Sequence, residues 1–208
     1  MFKEIKNKIS KNIIGNDDNI KISLAAVMSG GHILIEDLPG TGKTTFAKCI
    51  TAALNLDFKR IQFTSDLLPS DILGFNFLLN DKFEIKKGPI FTNIVLADEL
   101  NRASPKTQSA FLEAMEEKSV TIDRETLKLP DPFIVIATQN PSDLSGTSLL
   151  PESQLDRFMI SFSLENLTTD QQLNLLKNEN LFEIKRNTDF NIKNFMSQKI
   201  ININDNVY

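Results

Sequence analysis

A glycine-rich loop between an apolar run and a helical pattern constrains the fold of this chain more than any other feature. The run "HILIED" (32–37) leads into "LPGTGKTT", and apolar side chains then recur at helical spacing from Lys43 to Asn55. Gly40 and Gly42 let the backbone turn so that successive N–H groups point into one concavity at the start of that helix. This strand–loop–helix order predicts a phosphate-binding loop.

Further apolar runs along the chain have the length and composition of buried strands. Such strands are apolar on both faces and alternate with helical segments, which is typical of a parallel sheet covered by helices on both sides. We therefore predict an α/β fold of the P-loop NTPase type, with a five-stranded parallel sheet between helices. The other four runs are "RIQF" (60–63), "NIVLA" (93–97), "FIVIA" (133–137) and the weaker "FMISF" (158–162).

Two helices outside the loop have clear end signals. Asn16 is predicted to cap a helix over 16–29, which Gly30-Gly31 ends. Ser104 and Pro105 are predicted as the cap and the first-turn residue of a helix that runs to about Lys118.

Two segments are predicted to contain elements beyond a simple alternation of strands and helices. The segment 64–89 is too long for one crossover and predicts a helix followed by a hairpin, while "VTIDRETLKL" (120–129) alternates as a hairpin does. After about Glu165 the composition shifts toward Asn, Lys and Asp. We therefore expect a nucleotide-binding core over 1–164 and, over 165–208, a linker with the incomplete start of a second domain.

Composition restricts the class of protein and its location. The formal net charge is −4, which argues against a nucleic-acid or membrane-surface coat. The one cysteine, Cys49, excludes an internal disulfide framework and suits a reducing compartment. The start of the chain does not resemble a signal peptide, and no segment approaches transmembrane length. These features predict a cytoplasmic protein that is not inserted in a membrane.

The loop predicts a site for ATP and Mg²⁺. Lys43 is expected to reach the β- and γ-phosphates as the group that supplies positive charge there, and the Thr44 hydroxyl is expected to coordinate Mg²⁺. Asp37 stands where the first glycine of the loop pattern belongs, but it precedes the N–H concavity and need not prevent binding. The predicted nucleotide-binding residues of the loop are Pro39, Gly40, Thr41, Gly42, Lys43, Thr44 and Thr45.

Polar side chains follow two of the predicted strands. In "VLADE", Asp98 is expected to hold the hydrated Mg²⁺ and Glu99 to polarise the attacking water. Asn140, in "ATQNP", follows a strand that should neighbour the strand of Asp98, so its amide could position the same water. A helix-capping turn for the carboxylates and an Asn-Pro turn for Asn140 are the structural alternatives.

Arg157, in "LPESQLDRF", comes before the weaker fifth strand. It lies too far along the sheet to be assured of reaching its own nucleotide. It is therefore predicted to act on the nucleotide of a neighbouring subunit as an arginine finger. A surface ion pair between Asp156 and Arg157 is the alternative.

Long segments of the chain resemble the MoxR family of AAA+ ATPases: "GGHILIEDLPGTGKTT", "FTSDLLPSDILG", "GPIFTNIVLADE", "ADELNRASPKTQSAFLEAMEE", "IATQNP" and "LLPESQLDRF". The resemblance covers about residues 13–162, and "IININDNVY" is similar to the first part of the family's helical lid. It implies an AAA+ core with an inserted helix-hairpin, a second hairpin before the Asn140 strand, and the start of a truncated lid.

The same resemblance implies a biological setting. It implies a homo-oligomeric ring, commonly hexameric, with nucleotide at each interface and with Ile14 and Gly15 lining the adenine pocket. It also implies a chaperone-like remodelling, maturation or metal-insertion role on a client protein, often with a von Willebrand factor A domain partner.

Three other classes of protein agree less well with the sequence. A GTPase would need an N/T-K-x-D tetrapeptide after a strand, and the sequence contains none. A nucleic-acid motor or chelatase-type subunit of the same clade would carry both hairpins, but the motor should also show a basic channel, which the net charge disfavours. A nucleotide-gated scaffold would have no need of the water-activating Glu99.

Overall fold

The computed structural model describes residues 2–38, 40–140, 150–165, 167–171, 173, 186 and 192. Its centre is a sheet of five parallel strands: β1 (His32–Glu36), β2 (Phe58–Gln62), β5 (Ile94–Asp98), β8 (Ile134–Gln139) and β9 (Phe158–Phe162). Their order in the sheet is β2-β5-β8-β1-β9, so the predicted α/β fold is confirmed.

The central strands are apolar on both faces because each face has its own hydrophobic core. In β5, Ile94 and Leu96 belong to one cluster of buried side chains, whereas Val95 and Ala97 belong to the other. Successive side chains of a strand point to opposite faces, so a continuous apolar run divides between the two clusters. The helices that cover the faces are α1 (Phe2–Ser10), α2 (Asp17–Met28), α3 (Lys43–Ala53), α4 (Pro69–Leu73), α5 (Pro105–Glu117) and α6 (Glu152–Leu155).

Helix α1 was not predicted from the sequence. Its side chains Ile5 and Ile9 lie one turn apart and are buried in the same cluster as the apolar faces of α2 and α3. This spacing is the signal of an amphipathic helix, but two residues are too few to stand out from a short polar segment.

The helix caps agree with the sequence in one case and differ in the other. The Ser104 hydroxyl accepts a hydrogen bond from the Thr107 backbone N–H, as a cap does, so the predicted start of α5 is confirmed. Asn16 precedes α2, but its backbone is left-handed and its side chain does not cap the helix. Its carboxamide oxygen instead accepts from the Glu165 backbone N–H at 2.8 Å, so the predicted side-chain cap is wrong. A long-range contact has taken the oxygen that a local cap would use.

Both predicted hairpins are present. The first insertion consists of α4 and the antiparallel pair β3 (Gly74–Leu79) and β4 (Lys82–Lys87), and the second is the pair β6 (Ser119–Ile122) and β7 (Glu125–Lys128). The Asn76 amide donates to Asp123 Oδ2 at 2.5 Å, which ties the two hairpins together.

The expected linker and second domain over 165–208 lie mostly outside the described residues. The described Ile192 is buried in the cluster that contains α1, α2 and α3. Within the described part of the chain, no helix is long and apolar enough to cross a membrane.

Candidate nucleotide site

The loop between β1 and α3 has the open glycine positions that a phosphate cradle needs. Gly40 and Gly42 have φ of +88° and +90°, in the left-handed region that favours glycine, and a Cβ atom built on either would meet no other atom within 4 Å. Lys43 begins α3, and its Nζ donates to the Leu38 carbonyl at 2.6 Å and the Asp37 carbonyl at 3.1 Å. The ammonium group is therefore held against the loop.

Asp37 is used as a turn residue at the end of β1. Its Oδ1 accepts from the Leu38 backbone N–H at 2.7 Å, and its own N–H donates to the Gln139 carbonyl at 3.1 Å. Asp37, which replaces the glycine of the usual loop pattern, thus stabilises the end of β1. Pro39, predicted as part of the loop, lies outside the described residues.

An apolar cavity of about 320 Å³ lies on one side of the loop, a size within the range of small-molecule sites. Of the two residues expected around adenine, Ile14 lines this cavity, whereas Gly15 lines an adjoining concavity. The cavity is lined by Asn12, Ile13, Ile14, Asn16, Gly40, Thr41, Gly42, Thr45, Phe46, Leu164, Glu165 and Leu167.

A polar cavity of about 380 Å³ lies on the other side of the same loop. Gly40 and Gly42 line both cavities, so a ligand could extend from the apolar cavity past the loop into the polar one. The polar cavity is lined by Gly40, Gly42, Lys43, Thr44, Arg60, Gln62, Asp98, Glu99, Thr138, Gln139 and Asn140.

Sheet order explains why residues distant in sequence meet in this cavity. Strand β5 pairs with β8, so Asp98 and Asn140 come from the carboxyl ends of neighbouring parallel strands. Ligands of open α/β sheets bind at this edge. Seven of the predicted residues therefore share one cavity: Gly40, Gly42, Lys43, Thr44, Asp98, Glu99 and Asn140.

Thr138 fixes both carboxylate-bearing residues and was missed from the sequence. Its hydroxyl donates to Asp98 Oδ1 at 2.6 Å and accepts from the Glu99 backbone N–H at 2.9 Å. Thr138 precedes Asn140 by two residues at the end of β8 and is buried. The sequence did not indicate that Thr138 positions Asp98 and Glu99, because threonine in an apolar strand is commonly a packing residue.

Glu99 has a strained backbone at the point where chemistry is expected. Its φ of 58° and ψ of 46° are left-handed, which is uncommon for a residue other than glycine. Gln62 Nε2 donates to Glu99 Oε2 at 2.6 Å, and Arg102 Nε lies 3.4 Å from the same oxygen. Such strain is often found at functional sites, where surrounding contacts hold the residue in place.

Arg60 and Gln62 were also missed as site residues. They alternate with the buried Ile61 on the edge strand β2, and the Arg60 Nη2 donates to Gln62 Oε1 at 2.6 Å. Arg60 also donates to Asp98 Oδ2, from Nη2 at 2.6 Å and from Nε at 3.0 Å. Arg60 is therefore a second positively charged side chain that lines the cavity of Lys43.

Arg157 lies outside the polar cavity that contains Lys43 and Glu99. Its Nη2 donates to Glu116 Oε2 at 2.7 Å and its Nη1 to the Ser153 carbonyl at 2.9 Å. It is not among the described residues that line either cavity beside the loop. The ion pair that it makes is with α5, rather than with Asp156 as in the alternative drawn from the sequence.

The donor atoms suit Mg²⁺. Within the described ranges, no three His, Cys, Asp or Glu side chains cluster as a metal site. The Thr44 hydroxyl and the Asp98 carboxylate line the same cavity, and both are oxygen donors. Magnesium is commonly held by one or two such groups together with substrate phosphates and water. These residues therefore fit a magnesium ion that arrives with a nucleotide.

The remaining titratable candidates have structural places. Burial lowers the pKa of His32 to about 4, and its Nδ1 accepts from the Val135 backbone N–H at 3.0 Å. Burial likewise raises the pKa of the Cys49 thiol to about 11, which makes it a poor nucleophile. Both residues stabilise the core.

Fold and site together define a P-loop nucleotide-binding domain. Residues 32–160 match the family model described as "ATPase family associated with various cellular activities (AAA)". The chain is 40% identical over 159 residues to the protein named Chaperone MoxR1 of Mycobacterium tuberculosis, covering 76% of this chain and 42% of that protein. The chain belongs to the MoxR family of AAA+ ATPases.

Two further relatives agree with this assignment. A Bacillus subtilis (strain 168) protein, the uncharacterized YeaC, is 52% identical over 171 residues, which cover 81% of this chain and 53% of YeaC. A crystal structure of a candidate ATPase from Cytophaga hutchinsonii superposes with a TM-score of 0.83 at 40% identity, covering 96% of this chain and 62% of that one. The chain spans about half the length of the curated relatives that it matches.

Proposed function

We propose that this chain binds ATP with Mg²⁺ and hydrolyses it, and that the whole protein uses the energy as a ring-forming, chaperone-like remodelling or maturation factor. The observation that carries the proposal is the polar cavity beside the loop. Five of its side chains, from three separate parts of the chain, supply an ammonium group, a hydroxyl, two carboxylates and an amide.

The adenosine would occupy the apolar cavity, and the phosphates would lie along the loop N–H groups toward Lys43. Magnesium, held by Thr44 and Asp98, would neutralise charge on the β- and γ-phosphates. Glu99 would accept a proton from water as the water oxygen bonds to the γ-phosphorus and the bond to the ADP oxygen breaks. Asn140 would orient that water.

Arg157 fits a role at a subunit interface. Its side chain is 31% exposed and is held by Glu116 outside the cavity of Lys43 and Glu99. Delivery of its guanidinium to a neighbour's γ-phosphate would complete the site only in a ring, which the family resemblance implies to be hexameric.

The wider role rests on similarity. The relatives named Chaperone MoxR1 and Protein MoxR support a chaperone-like activity. A von Willebrand factor A domain partner, a client that is matured or loaded with metal, and a cytoplasmic location follow from the family resemblance and remain proposals. The net charge of −4 disfavours a nucleic-acid substrate.

Two variants of the purified protein test ATP binding and hydrolysis. Lys43→Ala should abolish binding of a fluorescent ATP analogue, while Lys48→Ala, on the exposed face of the same helix, should bind as the unchanged protein does. Glu99→Gln keeps the shape of the carboxylate but cannot take a proton. It should bind ATP and lose turnover by about a hundredfold or more.

The outcomes separate the competing classes. Binding by Lys43→Ala within a few-fold of the unchanged protein would show that the loop is not the phosphate site. Equal turnover of Glu99→Gln and the unchanged protein would remove Glu99 from the mechanism. Tight ATP binding without turnover by assembled rings of the unchanged protein would instead identify a nucleotide-gated scaffold.

A further inference from the structure

The carboxylate assigned to the metal already has a cationic partner from this chain. Two nitrogen atoms of Arg60 donate to Asp98 Oδ2, at 2.6 and 3.0 Å, and Thr138 donates to Oδ1 at 2.6 Å. Both carboxylate oxygens therefore accept charge-assisted hydrogen bonds, which are the stronger kind.

The two members of the ion pair differ in how firmly they are held. The Asp98 side chain is 11% exposed, whereas the Arg60 side chain is 48% exposed on the edge strand β2. The carboxylate is thus fixed by the interior of the domain, and the guanidinium lies on its solvent side. Arg60 is the partner that can leave without disturbing the core.

A divalent cation and the guanidinium compete for this carboxylate. Both cations are attracted to Asp98. They also repel each other, because two cations beside the same carboxylate lie only a few ångströms apart. Because the carboxylate is largely buried, few other directions of approach remain for a metal ion.

We propose that Arg60 is a displaceable counter-ion of Asp98, and that a divalent cation must displace it in order to bind. This inference rests on the proposed role of Asp98 as a metal-binding residue. Displacement has a second consequence, because Arg60 also holds Gln62, whose amide holds Glu99. Arrival of the metal would therefore loosen the contacts that restrain the water-activating carboxylate.

Binding of Mn²⁺ to the purified protein without nucleotide, measured by electron paramagnetic resonance of the free ion, tests the proposal. Arg60→Ala should bind Mn²⁺ about 3- to 10-fold more tightly, the range expected for losing a half-exposed ion pair with two hydrogen bonds. Arg60→Gln, which keeps a hydrogen-bond donor but no charge, should show the same direction. Lys59→Ala is the matched control, because it removes one exposed positive charge from the neighbouring position of β2.

The same titrations in an Asp98→Asn background assign the effect. If Asp98→Asn weakens Mn²⁺ binding and also abolishes the difference made by Arg60→Ala, the competition is confirmed. If Asp98→Asn weakens binding but both Arg60 variants match Lys59→Ala, Arg60 is no counter-ion, although the metal site stands. If Asp98→Asn leaves Mn²⁺ binding to Arg60→Ala unchanged, the metal role of Asp98 and this inference both fail.

Discussion

The Thr138 hydroxyl group contacts both carboxylate-bearing residues of the site, so its removal is expected to affect stability and turnover together. It donates to Asp98 Oδ1 at 2.6 Å and accepts from the Glu99 backbone N–H at 2.9 Å, and Thr138 is 1% exposed. Thr138→Val keeps the shape of the side chain and removes both hydrogen bonds. Thr138→Ser, the matched control, keeps the hydroxyl and removes one methyl group.

The loss of stability in Thr138→Val can be estimated from the two hydrogen bonds that the substitution removes. A hydrogen bond to a charged group contributes about 1.5–3 kcal/mol to stability, and one between neutral groups contributes about 1 kcal/mol. Thr138→Val should therefore lower the free energy of unfolding by about 2.5–4 kcal/mol. Thr138→Ser should cost about 1 kcal/mol, the usual loss for one buried methyl group.

Urea unfolding followed by far-ultraviolet circular dichroism measures this difference, since the chain has no tryptophan and one tyrosine. Steady-state ATP hydrolysis should fall about 10- to 100-fold in Thr138→Val, because small displacements of catalytic groups have large kinetic costs. The serine variant should retain turnover within a few-fold. If the valine and serine variants have the same stability and the same turnover, Thr138 does not position these residues.

Three further expectations follow from individual residues. Because the pKa of His32 is lowered from 6.5 to about 4, the stability from its neutral ring is complete above pH 6.5 and is lost as the pH falls toward 4. His32→Asn should reduce the change in the free energy of unfolding over this pH range by up to about 3 kcal/mol, measured by urea unfolding at each pH. An unchanged pH dependence would contradict the buried neutral state of His32. Gly88→Ala should lower the free energy of unfolding in urea by about 1–3 kcal/mol or more, because the added Cβ would collide with the Ile72 carbonyl oxygen; a wild-type free energy of unfolding would disprove the close contact. Arg157→Ala should bind ATP normally but lose concentration-dependent turnover, and mixing it with Lys43→Ala should restore some activity; mixed rings that stay inactive would exclude action between subunits.

The sequence by itself determined the fold class, because the pattern of burial is recorded locally. A strand covered on both faces must be apolar at every position, and "NIVLA" and "FIVIA" meet that requirement whatever their neighbours are. The loop was equally legible, since Gly40 and Gly42 supply backbone conformations that other residues rarely adopt. With the sheet known, the carboxyl ends of two strands predicted where Asp98 and Asn140 would lie.

Only the tertiary structure decided which side chains hold those groups in place. The Arg60–Asp98 pair joins positions 38 residues apart, and the Thr138–Asp98 contact joins positions 40 apart. Both depend on the strand order β2-β5-β8 and on its register, which place Gln62 beside Asp98 and Ala97 beside Ala137. Arginine and glutamine on an edge strand are ordinary solvent-facing residues until that register brings a carboxylate beside them. Asn16 shows the same limit, because its oxygen could satisfy either the helix start or residue 165, and the position of a distant segment determined which.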